Sequence, residues 1–355
     1  MSGLELVPRL AIPAARWNVA AAAMDSAWLW HTWEFQDTLC TWPGRRDHSR
    51  AACDSEGHIH GLLPLHVTEE RLGPLRMFRV DSFGGPAVAA QLLGRQDALR
   101  SRIAQALWTH AEDLAERLGA VEVTASLAPV TPAWSGASAP AVNPLLFLGL
   151  ESVAAQAWLI DLTIGPDALW KGMQGRARTA IRKAGNSGLI VREAGGVEDA
   201  AIYAHLHAET FRRTGATPHP ESYSRSLFTV HQPCGEALIL FAQDKAGTAA
   251  AAIFAVHKSR AYYWTAAASE EARRAGAPSL LLWHGMRLLH ERGVCWLDVG
   301  NAFPQAREGK LKGLSDFKAS FGGTLVPHWR GRLDRASRSH RALRGAWQVV
   351  KAMFP

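Results

Sequence analysis

Lys318 stands in the run GLSDFKASFGG, 313–323, where Phe317, Ala319 and Phe321 alternate with Lys318 and Ser320. That period predicts a strand with the lysine on the face opposite two buried aromatics. Facing a cleft, its ammonium would stabilise negative charge that grows in a transition state; on a solvated strand it would be a surface lysine. Asp298 ends the predicted strand CWLDVG, and Gly300 and Asn301 follow at the carboxyl edge, where open α/β sheets place ligands. A carboxylate there can act as a general base. It is equally suited to capping the turn that follows. Trp264 and His257, on neighbouring predicted strands, either line a ligand pocket or pack in the core. A further constellation lies in MQGRARTAIRKAGNSGLIVREA, 173–194. Wound as a helix, Leu169, Met173, Ala177, Ala180 and Ala184 share an apolar stripe, Arg178 and Arg182 stack at i,i+4, and Arg176 lies beside Lys183. Forked guanidinium groups suit phosphate or carboxylate; the same pattern also describes a solvated basic face.

The elements that must position these groups fall into two halves with similar grammar. In the first, a tryptophan-rich helical run (Trp28 to Trp42) precedes GHIHGLLPLHV, 57–67, which reads as paired strands. DSFGGPAV (81–88), an amphipathic helix from Asp97 to Leu118 and the strand VEVTAS (121–126) follow. The second half repeats the order with strands LILFAQ (238–243), AAAIFAVHK (250–258) and AYYWTAAA (261–268), a loop, a helix over 278–292 and CWLDVG. Gly84-Gly85-Pro86 corresponds to Gly276-Ala277-Pro278, and Arg117-Leu118-Gly119 to Glu291-Arg292-Gly293, a signal of internal duplication. The expected architecture is α/β, with two similar domains, 1–157 and 158–330, sharing a cleft and a basic amphipathic helix over 331–355.

These segments resemble a known family. The arginine helix and the FK motif are similar to those of the Fem-type aminoacyl transferases, which lengthen peptidoglycan side chains, and of the wider CelD-like acetyltransferases. GAPSLLLWHGMRLLHERGVCWLDVGN, 276–301, resembles the helix and strand that carry the acyl-donor loop of the GNAT (N-acetyltransferase) fold, and Gly61 to Leu65 and Gly84 to Pro86 match the family's GxxPL and GGP patterns. The resemblance implies tandem GNAT-like domains and an N-acyltransferase acting in cell-envelope or polysaccharide biosynthesis. It implies catalytic roles for Lys318 and Asp298, and a donor-phosphate loop formed by Arg273, Arg274, Gly276 and Ala277. Pro278 replaces the last small residue of the GNAT loop and supplies no N–H. Arg176, Arg178, Arg182, Lys183, Trp264 and Asn301 would then contact substrate. No cofactor is expected to be tightly bound; the acyl donor is acyl-CoA or aminoacyl-tRNA. The helical arm of bridge-building Fem enzymes has no counterpart, so the expected acceptor is an envelope polysaccharide precursor, a sugar amine or a small metabolite.

Composition bounds these readings. Of 355 residues 48% are hydrophobic and 20% charged, as in a globular chain with ample core. Cys40, Cys53, Cys234 and Cys295 form no CxxC pair, so zinc and disulfide frameworks are not indicated. No GxSxG elbow, HExxH or Walker loop occurs, which leaves hydrolase and nucleotidase readings unsupported. The N-terminus lacks the features of a secretory signal and no window of 18 apolar residues occurs, so a cytoplasmic protein without a transmembrane segment is expected. Most of the net charge of +7 lies in the tail, where Arg332, Arg335, Arg338, Arg341 and Arg344 wind around a predicted helix whose other face carries Leu343, Trp347, Val350 and Phe354. Peripheral contact with lipid or tRNA phosphate, but not DNA recognition, suits that pattern. The rival class is a catalytically silent GNAT-like scaffold that binds an envelope-synthesis partner or anionic surface through this tail.

Overall fold

The computed structural model describes residues 3–72, 75–89, 97–135, 139–245 and 247–336. The first half runs β1 (Glu5–Pro8), α1 (Ala14–Ala23), α2 (Trp33–Cys40), β2 (Arg45–Asp47), β3 (Arg50–Cys53), β4 (Ile59–Leu63), β5 (His66–Leu72), β6 (Leu75–Phe83), β7 (Ala87–Val88), α3 (Asp97–Leu118), β8 (Glu122–Ser126) and β9 (Glu151–Val153). The second half runs β10 (Gln156–Asp161), α4 (Pro166–Gly172), α5 (Gly175–Asn186), β11 (Ile190–Glu193), α6 (Ala200–Thr214), α7 (Glu221–Ser226), β12 (Ala237–Asp244), β13 (Gly247–His257) and β14 (Arg260–Ala268). It ends with α8 (Glu270–Ala275), α9 (Ala277–Glu291), β15 (Trp296–Ala302), α10 (Gly309–Ala319), β16 (Thr324–Pro327) and β17 (Arg330–Asp334).

Three sheets result, ordered β1-β3-β4-β7, β2-β5-β6-β8-β17-β9 and β11-β12-β13-β14-β15-β10-β16. The predicted pairing of the two strands in 57–67 does not occur. β4 joins the first sheet and β5 the second, because Pro64, which has no N–H for a ladder, turns the chain between them. The duplication is visible in the connections. In each half a strand crosses over through a helix to a parallel neighbour, β6 through α3 to β8 and β14 through α8 and α9 to β15. Both crossover helices end in a left-handed glycine, Gly119 (φ 59°) and Gly293 (φ 74°). The amides of Ala120 and Val294 then return to Ala115 O and Leu289 O, the same helix stop twice.

Each half has its own core. In the first, Ile103, Leu107, Trp108, Ala111 and Ala115 of α3 cover the strands; in the second, Leu281, Leu282, Met286 and Leu289 of α9 do so. Gly285 makes room on α9 for the Phe254 ring, which a Cβ there would overlap. A third cluster spans the halves and joins Trp28, Leu29, Phe35 and Leu39 to Tyr203, Phe228 and Ile253. The C-terminal strands stitch the halves together, since β16 pairs with β10 and β17 with β8 and β9. The stretch expected to begin a basic helix at 331 is therefore a strand. A Cβ on Gly331 would lie 2.8 Å from the Cβ of Leu150, so only glycine fits at this point of the ladder. Residues 337–355 lie outside the described residues. Among the described residues no helix is long and apolar enough to cross a membrane.

Candidate active site

β14 pairs with β15 only along Arg260–Tyr262 against Trp296–Asp298, although both strands continue beyond. Past Asp298 they part and open a wedge. Each strand carries a bulge there. Trp264 is the extra residue of β14 opposite Ile253 and Phe254, and Val299 with Gly300 oppose Trp158 alone on β10. Bulges bend a strand and re-aim its side chains. Gly300 adopts φ 81°, and a Cβ on it would lie 3.0 Å from Lys318 Nζ and 3.6 Å from the Tyr262 hydroxyl. The Gly300 N–H donates to Asp298 Oδ1 at 2.6 Å, so Asp298 does cap this turn.

The wedge opens on a cavity of about 370 Å³ lined by both halves. Trp28, Trp30, Trp42, Tyr223, Tyr262 and Trp264 line it, together with Asp298, Asn301, His328, Arg45 and Arg330. Trp30 meets Trp28, Tyr262 and Trp264 edge to face at centroid distances of 4.7, 5.8 and 5.6 Å. The Trp264 indole N–H donates to the Tyr223 hydroxyl at 3.0 Å, which fixes that wall.

The electrostatics of the polar side are set by burial. Asp298 is 2% exposed; burial raises its carboxyl to about 6, against the pull of the Gly300 hydrogen bond and the charge of Lys318. Lys318 is buried as well. Burial lowers its ammonium to about 8, against the attraction of Asp298, and Nζ donates to Asn301 O at 2.8 Å. His328 Nδ1 lies 2.8 Å from Asn301 Oδ1. An amide oxygen only accepts, so Nδ1 carries the hydrogen. Burial, with Arg330 and Lys318 adding, holds this imidazole down at about 3 and therefore neutral near pH 7.

The structure brings together Asp298, Asn301 and Trp264 in the cavity wall and Lys318 behind Gly300. Lys318 is on helix α10, not on a strand. Phe317 and Phe321, four residues apart, satisfy a helical period as well as a strand period, and their rings meet at 5.3 Å across the end of the helix. His257 is not in the cavity; its carbonyl receives the Trp28 indole N–H at 3.1 Å. Each of the four cations of α5 contacts protein, although Arg182 and Lys183 stay exposed. Arg176 donates to Asp316 O (2.6 Å), Lys183 to Arg274 O (3.0 Å) and Arg178 to the last carbonyls of α4, while Arg182 lies over Trp170 at 5.3 Å. The segment expected to be an open donor loop is helix α8, capped by Ser269 and closed by Gly276. Arg273 and Arg274 pair with Glu270 at 2.6 and 3.1 Å. The close approach at Gly276 is made by α5, whose Ala180 O would be 2.6 Å from a Cβ there. Sequence reasoning did not single out Tyr262, His328, Trp28 or Trp30 as site residues. Tyr262 had a signal, since it is two residues from Trp264 on one strand; His328 had none.

Residues 171–318 match the model of the acetyltransferase (GNAT) domain family. Over the whole chain the fold is similar to that of FemX, at 15% identity and a TM-score of 0.68, with 98% of this chain and 100% of that one covered. It is also similar to a tandem GNAT protein from the clavulanic acid biosynthesis pathway (18% identity, TM-score 0.56, 94% and 99% covered). The C-terminal domain of a putative lysylphosphatidylglycerol synthetase from Agrobacterium fabrum is similar as well (15% identity, TM-score 0.55, 94% and 95% covered). No curated protein matches the chain. The chain thus carries a segment, 171–318, that matches the acetyltransferase (GNAT) domain family, and its fold over the whole length is similar to that of tandem GNAT-like proteins.

Proposed function

We propose that the protein is an N-acyltransferase that moves an aminoacyl group from charged tRNA to an amine in cell-envelope biosynthesis, with Asp298 and Lys318 at its catalytic centre. The observation that carries this reading is the placement of Asp298, a buried carboxylate raised to about 6, where β14 and β15 part at the cavity wall. A base serves best with a proton affinity near the working pH. Asp298 would accept the proton of the attacking amine, directly or through water. Lys318 would keep Asp298 ionised and oppose the negative charge of the tetrahedral intermediate across the thin backbone at Gly300.

The donor assignment rests on the α8–α9 junction. A phosphate-binding helix start needs free N–H groups. Here Pro278 has none, and the Ser279 and Leu280 amides return to Gly276 O at 3.0 and 3.1 Å. With Glu270 holding both arginines, this junction suits a coenzyme A pyrophosphate poorly. The exposed basic surface at Arg182 and Lys183 would instead meet tRNA phosphates. The name of the putative lysylphosphatidylglycerol synthetase among the structural neighbours joins a lysyl group to a phospholipid, which fits aminoacyl chemistry at an envelope.

The test is mass spectrometry of amine mixtures incubated with the purified protein and either charged tRNA or an acyl-CoA mixture. The expected result is aminoacyl amides from tRNA alone, and none with Asp298→Asn. Products from acyl-CoA only would overturn the donor assignment; unchanged turnover in Asp298→Asn would overturn the centre.

A further inference from the structure

We infer that the 3₁₀ turn Pro144–Leu148, with the charge-free ribbon that carries it, is a docking surface for an anionic lipid membrane. The inference goes beyond the acyl-transfer reading and does not depend on it. Between Glu122 and Glu151 the sequence holds no Asp, Glu, Lys, Arg or His, in a chain of which 20% is charged. This ribbon runs from β8 to β9, and its turn presents Val142, Leu146 and Phe147 at 53%, 44% and 77% exposure. Exposed apolar residues are ordinary when scattered singly; a group of them in a long stretch without charge marks an interaction surface. The turn is pinned from below. Asn143 Nδ2 donates to Arg330 O at 2.8 Å and to Ser152 Oγ at 2.9 Å, and its Oδ1 accepts from the Leu145 N–H at 3.1 Å. Leu145 and Leu150 are buried against Gly331 of β17. The amides of Leu146, Gly149 and Leu150 return to Asn143 O, Leu146 O and Leu145 O at 3.2, 3.1 and 3.2 Å. With these amides paired internally, the turn can enter an apolar interface without stranding them.

Charge at the border selects the lipid. β17, against which the turn packs, carries Arg330 and Arg332, and Arg335 follows it. Arg332 is held by Glu122 at 2.5 Å, whereas Arg330 and Arg335 are exposed and have no ion pair among the described residues. The described residues end at Ala336, just past this strand, and the sequence beyond adds Arg338, Arg341, Arg344 and Lys351 with no Asp or Glu. An apolar projection beside cations suits anionic headgroups, with Leu146 and Phe147 reaching the acyl boundary. Glu151, opposite Arg332 in the β9–β17 register, and Glu112, near Gly149, limit the affinity. A second copy docked here would bring the same cations face to face, which costs free energy. A protein partner would need a pocket for Phe147, the most exposed of the large apolar side chains described. A fluid interface accommodates the same wedge without one.

The experiment is co-sedimentation of the full chain with vesicles of phosphatidylcholine alone and of equal parts phosphatidylcholine and phosphatidylglycerol. Binding is expected to the anionic vesicles, far less to the neutral ones, and it should decline as salt is raised. Phe147→Glu should weaken the partition by about tenfold or more, and Phe147→Leu should keep most of it. Because Phe147 is exposed, both variants should melt with the wild type. Equal partition of the wild type and Phe147→Glu would overturn the surface, since the cations alone would then hold the membrane. Absence of binding to either vesicle, or equal binding to both, would overturn it as well. A dimer in light scattering that Phe147→Glu disperses would give the turn to a second copy, and a lowered melting temperature in that variant would give it to another segment of the chain; either result overturns the lipid assignment. Vesicle binding by a protein that transfers no acyl group would leave this surface standing and sink the acyl-transfer reading, and transfer without vesicle binding would do the reverse.

Discussion

Asp298 and Lys318 share one buried network, so each sets the pH range in which the other is useful. A base must be ionised and an electrostatic partner protonated, so turnover should rise as pH passes about 6 and fall beyond about 8. Asp298→Asn should remove the acid limb with a loss of about 10²–10⁴ in rate, and Lys318→Met the alkaline limb with about 10² or more. Stability should move the other way. The folded-state pKa of Asp298 lies above its ordinary value of 3.8, so its stabilisation is complete only below 3.8 and is lost as pH rises through 6. Lys318 lies below its ordinary 10.5, so its contribution is present above 10.5 and lost as pH falls through 8. Between 6 and 8 both charges cost stability, which a functional pair tolerates and a structural one would not. Asp298→Asn keeps an acceptor for Gly300 and should melt no lower than the wild type at pH 7.5. A lower melting temperature with full activity would make Asp298 a structural cap.

The elements that hold this pair were unequally legible. Strands β12 to β15 and helices α3 and α9 announce themselves because long apolar runs and left-handed glycines admit one reading. Helix α10 did not, since a five-residue motif flanked by aromatics fits two periods and the burial of Lys318 depends on β15. Helix α8 had a readable start, Ser269 followed by Glu270 and Glu271, with the serine accepting from Ala272 N–H at 3.1 Å, which the loop resemblance obscured. The cavity was out of reach: Trp30 and Trp264 come from opposite halves of the chain, and only tertiary packing sets them 5.6 Å apart. The α8–α9 junction yields its own prediction. Gly276 has φ 95° and no space for a Cβ, so Gly276→Val should destabilise the fold by about 1–3 kcal/mol or more. Denaturant unfolding measures this, and an unchanged midpoint would return Gly276 to the role of a donor-loop glycine.

At the scale of the whole molecule, function depends on how firmly the halves are locked, because the cavity takes Trp28 and Trp30 from one and Tyr262 and Trp264 from the other. Part of the lock is apolar, the cluster joining Leu29 and Phe35 to Tyr203 and Phe228. Part is polar and concentrated at the β13–β14 turn, where Lys258 (φ 50°) and Ser259 (φ 56°) are the non-glycine residues with positive φ among those described. Lys258 Nζ reaches across to donate to Ala21 O in the last turn of α1 and to Met24 O and Ala27 O just beyond it, at 2.8, 2.8 and 3.2 Å. Thr38 and His231 make a second link, Oγ1 to Nε2, at 2.9 Å. Three carbonyls gathered on one ammonium fix the angle between the halves as a single bond would not, since all three must be lost for the turn to slide. Lys258 is an exposed residue, so the cost of removal should be at the low end for a charged hydrogen bond. Lys258→Met should lower unfolding stability by about 1–2 kcal/mol and raise KM several-fold with little change in kcat, while Lys258→Arg, which keeps donors, should retain most of both. A KM unchanged in Lys258→Met would mean that the apolar cluster alone aligns the cavity walls.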